Sequence, residues 1–308
     1  MWNFDLLSAT HVVEKTMGFV LYRWVIFLAV AGGLLLATLS GAGTAIGVSS
    51  LSTDPTLFAN AGAILGFAGF CWLLYKSRRV LFYNVIASHQ LLLARIVAGE
   101  SIPQGKTQVP FAKQALNDRF PQSGELWQIR TSIGDALSVL PAYLDLKLVN
   151  SSSPVLAKLF GWLTDRVSAL NADVIVASLL AHRNLAPRTL ACAEILSFAK
   201  NGRLMLNSRF FLVVFELLGW LIAYVVLLIP SQKIAGLLPF ETGFWPHIFA
   251  LVFSWHIKAS FLEPIAQAAL IQLSVGLPKA EHDEDDAVAT WLTEHSEAFR
   301  RICTRVEE

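Results

Sequence analysis

Polar and ionisable side chains recur on one face of the last long apolar segment, Phe244–Val275. They are spaced 4, 3 and 4 residues apart: His256, Ser260, Glu263 and Gln267. At 100° per residue the four fall within about 60° of one another on a helix, and we call them the polar seam. Charged groups cost free energy at bilayer depth, from about 2.5 kcal/mol upward, and normally serve function inside a helix bundle. The polar seam is therefore a candidate functional site.

Glu216 is the acid of the preceding apolar segment, Phe210–Ile229. With the polar seam it could line a cavity, and three aromatic side chains could add a face to that cavity: Trp220, Tyr224 and Trp255. An acid and aromatic faces together hold a quaternary ammonium well. This combination favours a small organic cation as the ligand.

A structural role for the same residues is the alternative. Glu216 could pair with Lys258, and the polar seam could supply hydrogen bonds between helices. Lys258 lies about 160° from the seam on an ideal helix, so we expect it to face a different group. Pro264 directly follows Glu263 and predicts a kink or break, which occurs at many transporter sites but also in ordinary spans.

Membrane-spanning helices are the elements that must position these residues. Of the 308 residues, 55% are hydrophobic and 15% are charged, and the mean hydropathy is +0.54. An average soluble domain has about 25% charged residues, so this composition excludes a disordered chain and argues against a soluble enzyme. The net charge of +1 has no nucleic-acid signature, and we expect no nucleic-acid partner.

Four apolar segments are long enough to cross a bilayer, which takes about 20 residues. The first has no charge from Trp24 to Thr53, and the others are Leu57–Tyr75, Phe210–Ile229 and Phe244–Val275. We therefore predict an all-α integral membrane protein with about four transmembrane helices. A helical, membrane-apposed cytosolic region with amphipathic helices is expected between the second and third spans.

Basic residues predict the orientation, because cytosolic loops carry an excess of Lys and Arg. Residues 76–209 contain sixteen Lys and Arg against eight Asp and Glu. This excess predicts that the region and both termini are cytosolic, in a membrane that we expect to be a bacterial inner membrane. The predicted order is a surface helix with two spans (1–75), the basic region (76–209), two more spans (210–275) and a charged tail (276–308).

The region between the spans is predicted to be largely helical. Val80–Val97 continues the second span, residues 99–124 have a loop composition, and a helix runs from about Glu125 to Leu148. An amphipathic helix begins at Pro154, and its apolar stripe packs either on protein or in the headgroup layer. The stripe comprises Val155, Leu156, Leu159, Phe160, Leu163, Val167 and Leu170.

Small residues predict a packing face on the second span. Gly62, Gly66 and Gly69 share one side of this helix at a spacing that allows close approach. Gly32-Gly33 of the first span is a candidate partner. The contact could lie within one chain or between the protomers of a homo-oligomer.

No motif predicts catalysis, a cofactor or a metal. Nucleotide-binding loops, nucleophile elbows and zinc-protease motifs are absent from the sequence, and we expect no enzymatic activity. Cys71, Cys192 and Cys303 are scattered and predict neither a zinc site nor a disulfide framework. The acidic run His282–Asp286 predicts a solvated linker before a short helix, Ala287–Arg305.

A series of short sequence pieces runs in order between Ile129 and Val275. They are Tyr143–Leu148 with Pro154-Val155, Leu170–Ala172, Asn184-Leu185 with Ala191, Asn201–Arg203, Leu218-Gly219 and Phe261-Leu262. In order and spacing they resemble the C-terminal half of the choline transporter-like solute carriers. Asp173 stands where that family has an aromatic residue, and the family has many more spans than the four predicted here.

This resemblance implies a transporter ancestry, with choline or ethanolamine as the family's substrate. Transport would be passive or exchange-driven, because no nucleotide site is present. The alternative is a non-transporting membrane subunit or scaffold, stator-like or channel-like, that assembles through its transmembrane helices. Besides membrane lipids, its partner would then be a second copy or another subunit. A water-accessible cavity at Glu216 favours transport, and a dry seam against another chain favours assembly.

Overall fold

The chain is predominantly helical over the residues that the structure describes. The computed structural model describes residues 4–48, 55–78, 82–122, 124–144, 154–182, 186–237, 242–277 and 282–304. Helices, and no strands, occur among these residues, which confirms the predicted all-α class.

The helix bounds follow in chain order. They are α1 (Leu6–Lys15), α2 (Met17–Val48), α3 (Pro55–Ser77), α4 (Tyr83–Val97), α5 (Gln108–Arg119), α6 (Glu125–Leu137), α7 (Leu140–Tyr143), α8 (Pro154–Ala169), α9 (Ala172–Ala181), α10 (Pro187–Lys200), α11 (Gly202–Ala235), α12 (Trp245–Ile257), a π-helix (Lys258–Leu262), α13 (Glu263–Val275), α14 (His282–His295) and α15 (Glu297–Thr304).

Four helices are long and apolar enough to cross a membrane, as predicted. They are α2, α3, α11 and the continuous stretch from α12 through the π-helix to α13. Each contains one of the four predicted segments, apart from Phe244, which directly precedes α12, and residues 49–53 of the first segment, which lie outside the described residues. Four such helices indicate that the chain inserts into a membrane.

The described residues form two compact units. The first unit comprises Met1–Phe19, Asn84–Val214 and Pro264–Glu308, and the second comprises Val20–Tyr83 and Phe215–Glu263.

In the first unit, the apolar helix α9 lies at the centre of the packing. Seven of its ten residues are buried, and helices α6 and α10 pack against it. Arg130 of α6 donates two hydrogen bonds to Asp173 of α9, at 2.9 and 3.2 Å. A bidentate charge-assisted pair of this kind adds directional specificity to the apolar contact between the two helices.

Side-chain hydrogen bonds fix the N-terminal segment within the first unit. The Asp5 carboxylate accepts from the backbone N–H groups of Leu7 and Ser8 and so caps α1. Gln108 of α5 accepts from the backbone N–H of Phe19, at 3.0 Å, and donates to the carbonyl of Lys15, at 2.8 Å. Buried polar groups are therefore satisfied where α1 meets α2.

Two predictions for the first unit are wrong in detail. Residues 99–124 include helix α5, which packing supports because Ala112 and Leu116, one turn apart, are both buried. The acidic run of the tail is not a linker, because it forms the start of α14. Tyr83 starts α4, and the part of the predicted continuation of the second span that falls on residues 80–81 lies outside the described residues.

A disulfide between Cys192 and Cys303 joins α10 to α15. The prediction that no disulfide forms is therefore wrong. The two cysteines are 111 residues apart in sequence, but their Cα atoms are 5.5 Å apart because α15 packs on α10. Spacing along the chain could not reveal this pairing, since only the packing of the tail brings the thiols together.

In the second unit, small residues bring α2 and α3 into close contact. A β-carbon added to Gly62 would overlap the carbonyl oxygen of Gly41, and one added to Gly66 would overlap that of Ala37. The backbones therefore touch directly, as small residues allow between membrane helices.

The glycine face differs from its prediction in two places. Gly41 and Ala37 line the direct backbone contact on α2, Gly33 meets α3 through the ring of Phe70, and Gly32 has open space. A β-carbon on Gly69 would also meet nothing within 4 Å. The contact is therefore formed inside the chain, nearer to the C-terminal end of α2 than we predicted.

Candidate intramembrane ion network

Four ionisable side chains of the second unit form an alternating chain of charges. Arg23 of α2 donates from Nη2 to Oε2 of Glu263, at 2.9 Å. The Lys258 Nζ lies 2.8 Å from Oε1 of Glu263 and 2.9 Å from Oε2 of Glu216. We call these four residues the ion network.

The ion network is electrically neutral and largely inaccessible. Arg23 and Glu216 are buried, and the side chains of Lys258 and Glu263 are 16% and 23% exposed. Two cations face two anions, so the attraction between partners offsets part of the cost of removing each charge from water. Ionisable groups placed inside membrane helices normally mark a functional pathway or its internal counter-ions.

The π-helix determines how Lys258 meets Glu263. The backbone N–H of Glu263 donates to the carbonyl of Lys258, five residues earlier, so these two residues lie one wide turn apart. On an ideal α-helix they would point to different sides. The prediction that Lys258 faces away from the polar seam is therefore wrong with respect to Glu263.

Pro264 gives the physical reason for this irregular turn. Its nitrogen carries no hydrogen, and its ring would clash with the carbonyl four residues earlier in a regular α-helix. One extra residue in the preceding turn relieves the clash. The predicted kink or break is thus a π-helical turn within a continuous span.

His256 and Ser260 are buried, and each is two residues from Lys258 in the sequence. Both carry polar atoms without a hydrogen-bond partner among the described residues. The His256 ring contacts the Phe253 carbonyl through Nδ1 and faces the ring of Trp24, with centroids 6.3 Å apart. Its Nε2, the Ser260 hydroxyl and the indole N–H of Trp220 have no hydrogen-bond partner among the described residues. Each such buried atom costs about 1–3 kcal/mol, which makes it a candidate contact for a ligand.

The other predicted site residues have separate surroundings. Tyr224 Oη lies 3.1 Å from Nδ1 of His247, two turns along α11 from Glu216. Trp255 is exposed and packs its edge against Phe27. Gln267 is buried in the first unit, where its Oε1 has no partner among the described residues.

Arg23 is the network member that the sequence did not reveal. It immediately precedes the charge-free run that begins at Trp24, a position typical of a basic residue at the membrane surface. The helix begins six residues earlier, at Met17, so Arg23 lies within α2 and is fully buried. Knowing where α2 starts would have placed Arg23 inside the span, but hydropathy alone does not locate the start of a helix.

An ammonium held between two carboxylates is the chemical centre of this site. Carboxylates placed in this way accept hydrogen bonds from the N–H groups of an ammonium. Within the described parts of the chain, no three His, Cys, Asp or Glu residues lie close enough to bind a metal ion.

Comparisons of the chain with protein families, curated proteins and solved structures find no match. Within the sequence pieces that resemble the choline transporter-like carriers, Asp145–Leu148 and Asn184-Leu185 lie outside the described residues. Gly219 of α11 packs against Leu262 of the fourth span, since a β-carbon on Gly219 would overlap the Leu262 side chain.

Proposed function

We propose that the protein is a small membrane carrier for small organic cations, and that the substrate's ammonium exchanges with that of Lys258. The observation that supports this is the position of the Lys258 Nζ between Glu216 and Glu263, at 2.9 and 2.8 Å. Lys258 would then act as an internal counter-ion that keeps the acids neutralised while no substrate is bound.

The hydrogen-bonding pattern favours a primary ammonium over a quaternary one. Lys258 donates N–H hydrogens to two carboxylates, and an ethanolamine-like ammonium can do the same. A choline-like ammonium has no N–H and depends on aromatic faces instead. Of the candidate aromatic residues, Tyr224 and Trp255 have other partners, so ethanolamine is the better expected substrate.

Two further features agree with a carrier. π-Helical turns in otherwise regular helices occur frequently at functional sites, and the turn Lys258–Leu262 contains a network residue. The unsatisfied atoms of His256, Ser260 and Trp220 offer hydrogen bonds to a polar substrate or to the water that accompanies it. We further propose passive or exchange-driven transport, in a bacterial inner membrane, with both termini in the cytosol.

Uptake by proteoliposomes tests this proposal. Labelled ethanolamine and choline would be offered to the wild type, Glu216→Gln, Lys258→Met and the control Glu297→Gln, which alters an exposed acid of α15. We expect saturable uptake with a preference for ethanolamine, a loss of at least tenfold in Glu216→Gln, and no change in Glu297→Gln. Lys258→Met should bind ethanolamine more tightly, because the competing ammonium is gone.

A folded wild type without saturable uptake would contradict the carrier proposal. It would also direct attention to the second candidate, a non-transporting membrane subunit. The specific observation in its favour is that α11 and α3 bury only 11% and 17% of their most apolar stretches. Native mass spectrometry from lipid nanodiscs would detect the expected oligomer, whereas a monomer at all concentrations would exclude homo-oligomeric assembly.

A further inference from the structure

A separate apolar cavity lies among the four spans of the second unit. Its volume is about 170 Å³, and α2, α3, α11 and α12 all contribute to its walls. Small side chains create the space, because Ala42, Ala59 and Ala63 are buried where larger residues would fill it.

Most of the cavity lining is distant from the ion network along the helices, and Phe253, five residues before Lys258, is the nearest lining residue in the fourth span. Thr38 lies fifteen residues beyond Arg23 in α2, and Ser231 lies fifteen residues beyond Glu216 in α11. At 1.5 Å per residue each separation is about 22 Å. Among the described residues no charged side chain lines the cavity, so its described lining differs in chemistry from the proposed ammonium site.

The polar groups of the lining are mostly engaged elsewhere. Asn60 accepts a hydrogen bond from the indole N–H of Trp245, at 3.2 Å, and donates to the carbonyl of Thr56. The Thr38 hydroxyl donates to the carbonyl of Leu34, at 2.7 Å. A stable internal water needs two to four polar partners, and the cavity offers few. Its chemistry therefore selects an apolar occupant.

We infer that this cavity binds the end of a membrane-lipid acyl chain. An apolar cavity of roughly 150 Å³ stays dry and accepts benzene, so 170 Å³ accommodates the last few carbons of a chain. Acyl chains surround spans of this kind at high concentration. Leu39 lines the cavity and is also 39% exposed, so it lies where a chain could enter from outside the spans.

Pro230 gives a local reason for an opening at this place. It lies inside α11, where it cannot donate a backbone hydrogen bond to the preceding turn, and the next residue, Ser231, lines the cavity. Trp245 forms part of the opposite wall, stacked on Phe249 with ring centroids 5.9 Å apart. An aromatic side chain and a proline-containing turn therefore both border the cavity.

Photo-crosslinking in lipid nanodiscs tests the inference. One phosphatidylcholine would carry a diazirine at the terminal carbon of an acyl chain, and a second would carry it next to the ester. Filling variants would be Ala63→Leu and Leu39→Trp, and the control would be Val225→Phe, at a position that is 57% exposed on α11. Peptide mass spectrometry would locate the crosslinks.

We expect the terminal diazirine to label peptides from the cavity walls, and both filling variants to reduce this labelling at least fivefold. Val225→Phe should leave it unchanged, and the diazirine next to the ester should label the walls at least fivefold less. Leu39→Trp changes a partly exposed position, so it keeps the test decisive if Ala63→Leu fails to fold. Equal labelling in all variants would overturn the inference. So would labelling of the walls by a free aromatic diazirine but not by the lipid. Neither result depends on cation uptake, so the carrier proposal stands or falls separately.

Discussion

At the scale of single residues, the ion network is neutral, and an unbalanced charge in it is costly in folding free energy. Each carboxylate lies within 3 Å of a cationic partner, and the sum of the four charges is zero. Removing one member leaves a buried charge uncompensated, which costs about 3–5 kcal/mol for a typical buried pair. The network is therefore expected to behave as one energetic unit.

A double-mutant cycle on Glu216 and Lys258 tests this coupling. Glu216→Gln should destabilise the fold by about 3 kcal/mol, the low end of the range, because Lys258 keeps Glu263 as a partner. Lys258→Met should destabilise it further, since two carboxylates would share Arg23. The double variant restores neutrality with the Arg23–Glu263 pair intact, so it should be more stable than Lys258→Met. Thermal unfolding in detergent micelles measures all three.

Glu297→Gln is the matched control for this cycle, because Glu297 and its partner Arg301 are both exposed. Exposed ion pairs contribute little to stability, so this variant should unfold at the same temperature as the wild type. Additive effects of Glu216→Gln and Lys258→Met would show that the two residues do not act as a pair.

At the scale of helices, direct backbone contact between α2 and α3 gives a sharp prediction. Gly62→Val should be strongly destabilising, by about 1–3 kcal/mol or more, because the new side chain meets the Gly41 carbonyl. Gly69→Val lies in the same helix with open space around it and should unfold within about 0.5 kcal/mol of the wild type. The same thermal assay compares the two.

Equal losses in these two variants would indicate a general effect of valine in α3 rather than a contact. Comparing these two variants also distinguishes packing inside the chain from packing between chains. If Gly69 formed an interface between protomers, Gly69→Val would reduce oligomerisation without lowering the stability of the monomer.

Hydropathy predicted the four spans because each needs about 20 apolar residues, whatever its neighbours. It could not predict which residues meet across helices. Gly41 touches the backbone of α3 while Gly33 meets the Phe70 side chain, and Arg23 enters the ion network. Both depend on where α2 starts and how it is rotated. The meeting of Lys258 and Glu263 depends on one extra residue in a turn, which an ideal 100° rotation per residue misses.

At the scale of the whole molecule, the disulfide and the proposed orientation require opposite redox environments. Basic residues predict that the first unit is cytosolic, where reducing systems keep thiols free and disulfides are rare. Cys192 and Cys303 are nevertheless in bonding position. Trapping thiols in intact cells distinguishes the two cases. Under the proposed orientation we expect the pair to be reduced in the cell, and a pair found oxidised would contradict cytosolic termini.

Oxidation of the purified protein should then stabilise the first unit. The bond closes a loop of 111 residues, for which loss of chain entropy in the unfolded state gives roughly 4–5 kcal/mol as an upper estimate. Under oxidising conditions Cys303→Ser should unfold at a lower temperature than the wild type. A reducing agent should lower the unfolding temperature of the wild type to that of Cys303→Ser. Cys71→Ser is the control, because Cys71 is a free thiol in the second unit and should have no such effect. If Cys303→Ser and the oxidised wild type unfold together, α15 is held on α10 by its other contacts, and the disulfide adds nothing to the packing of the tail.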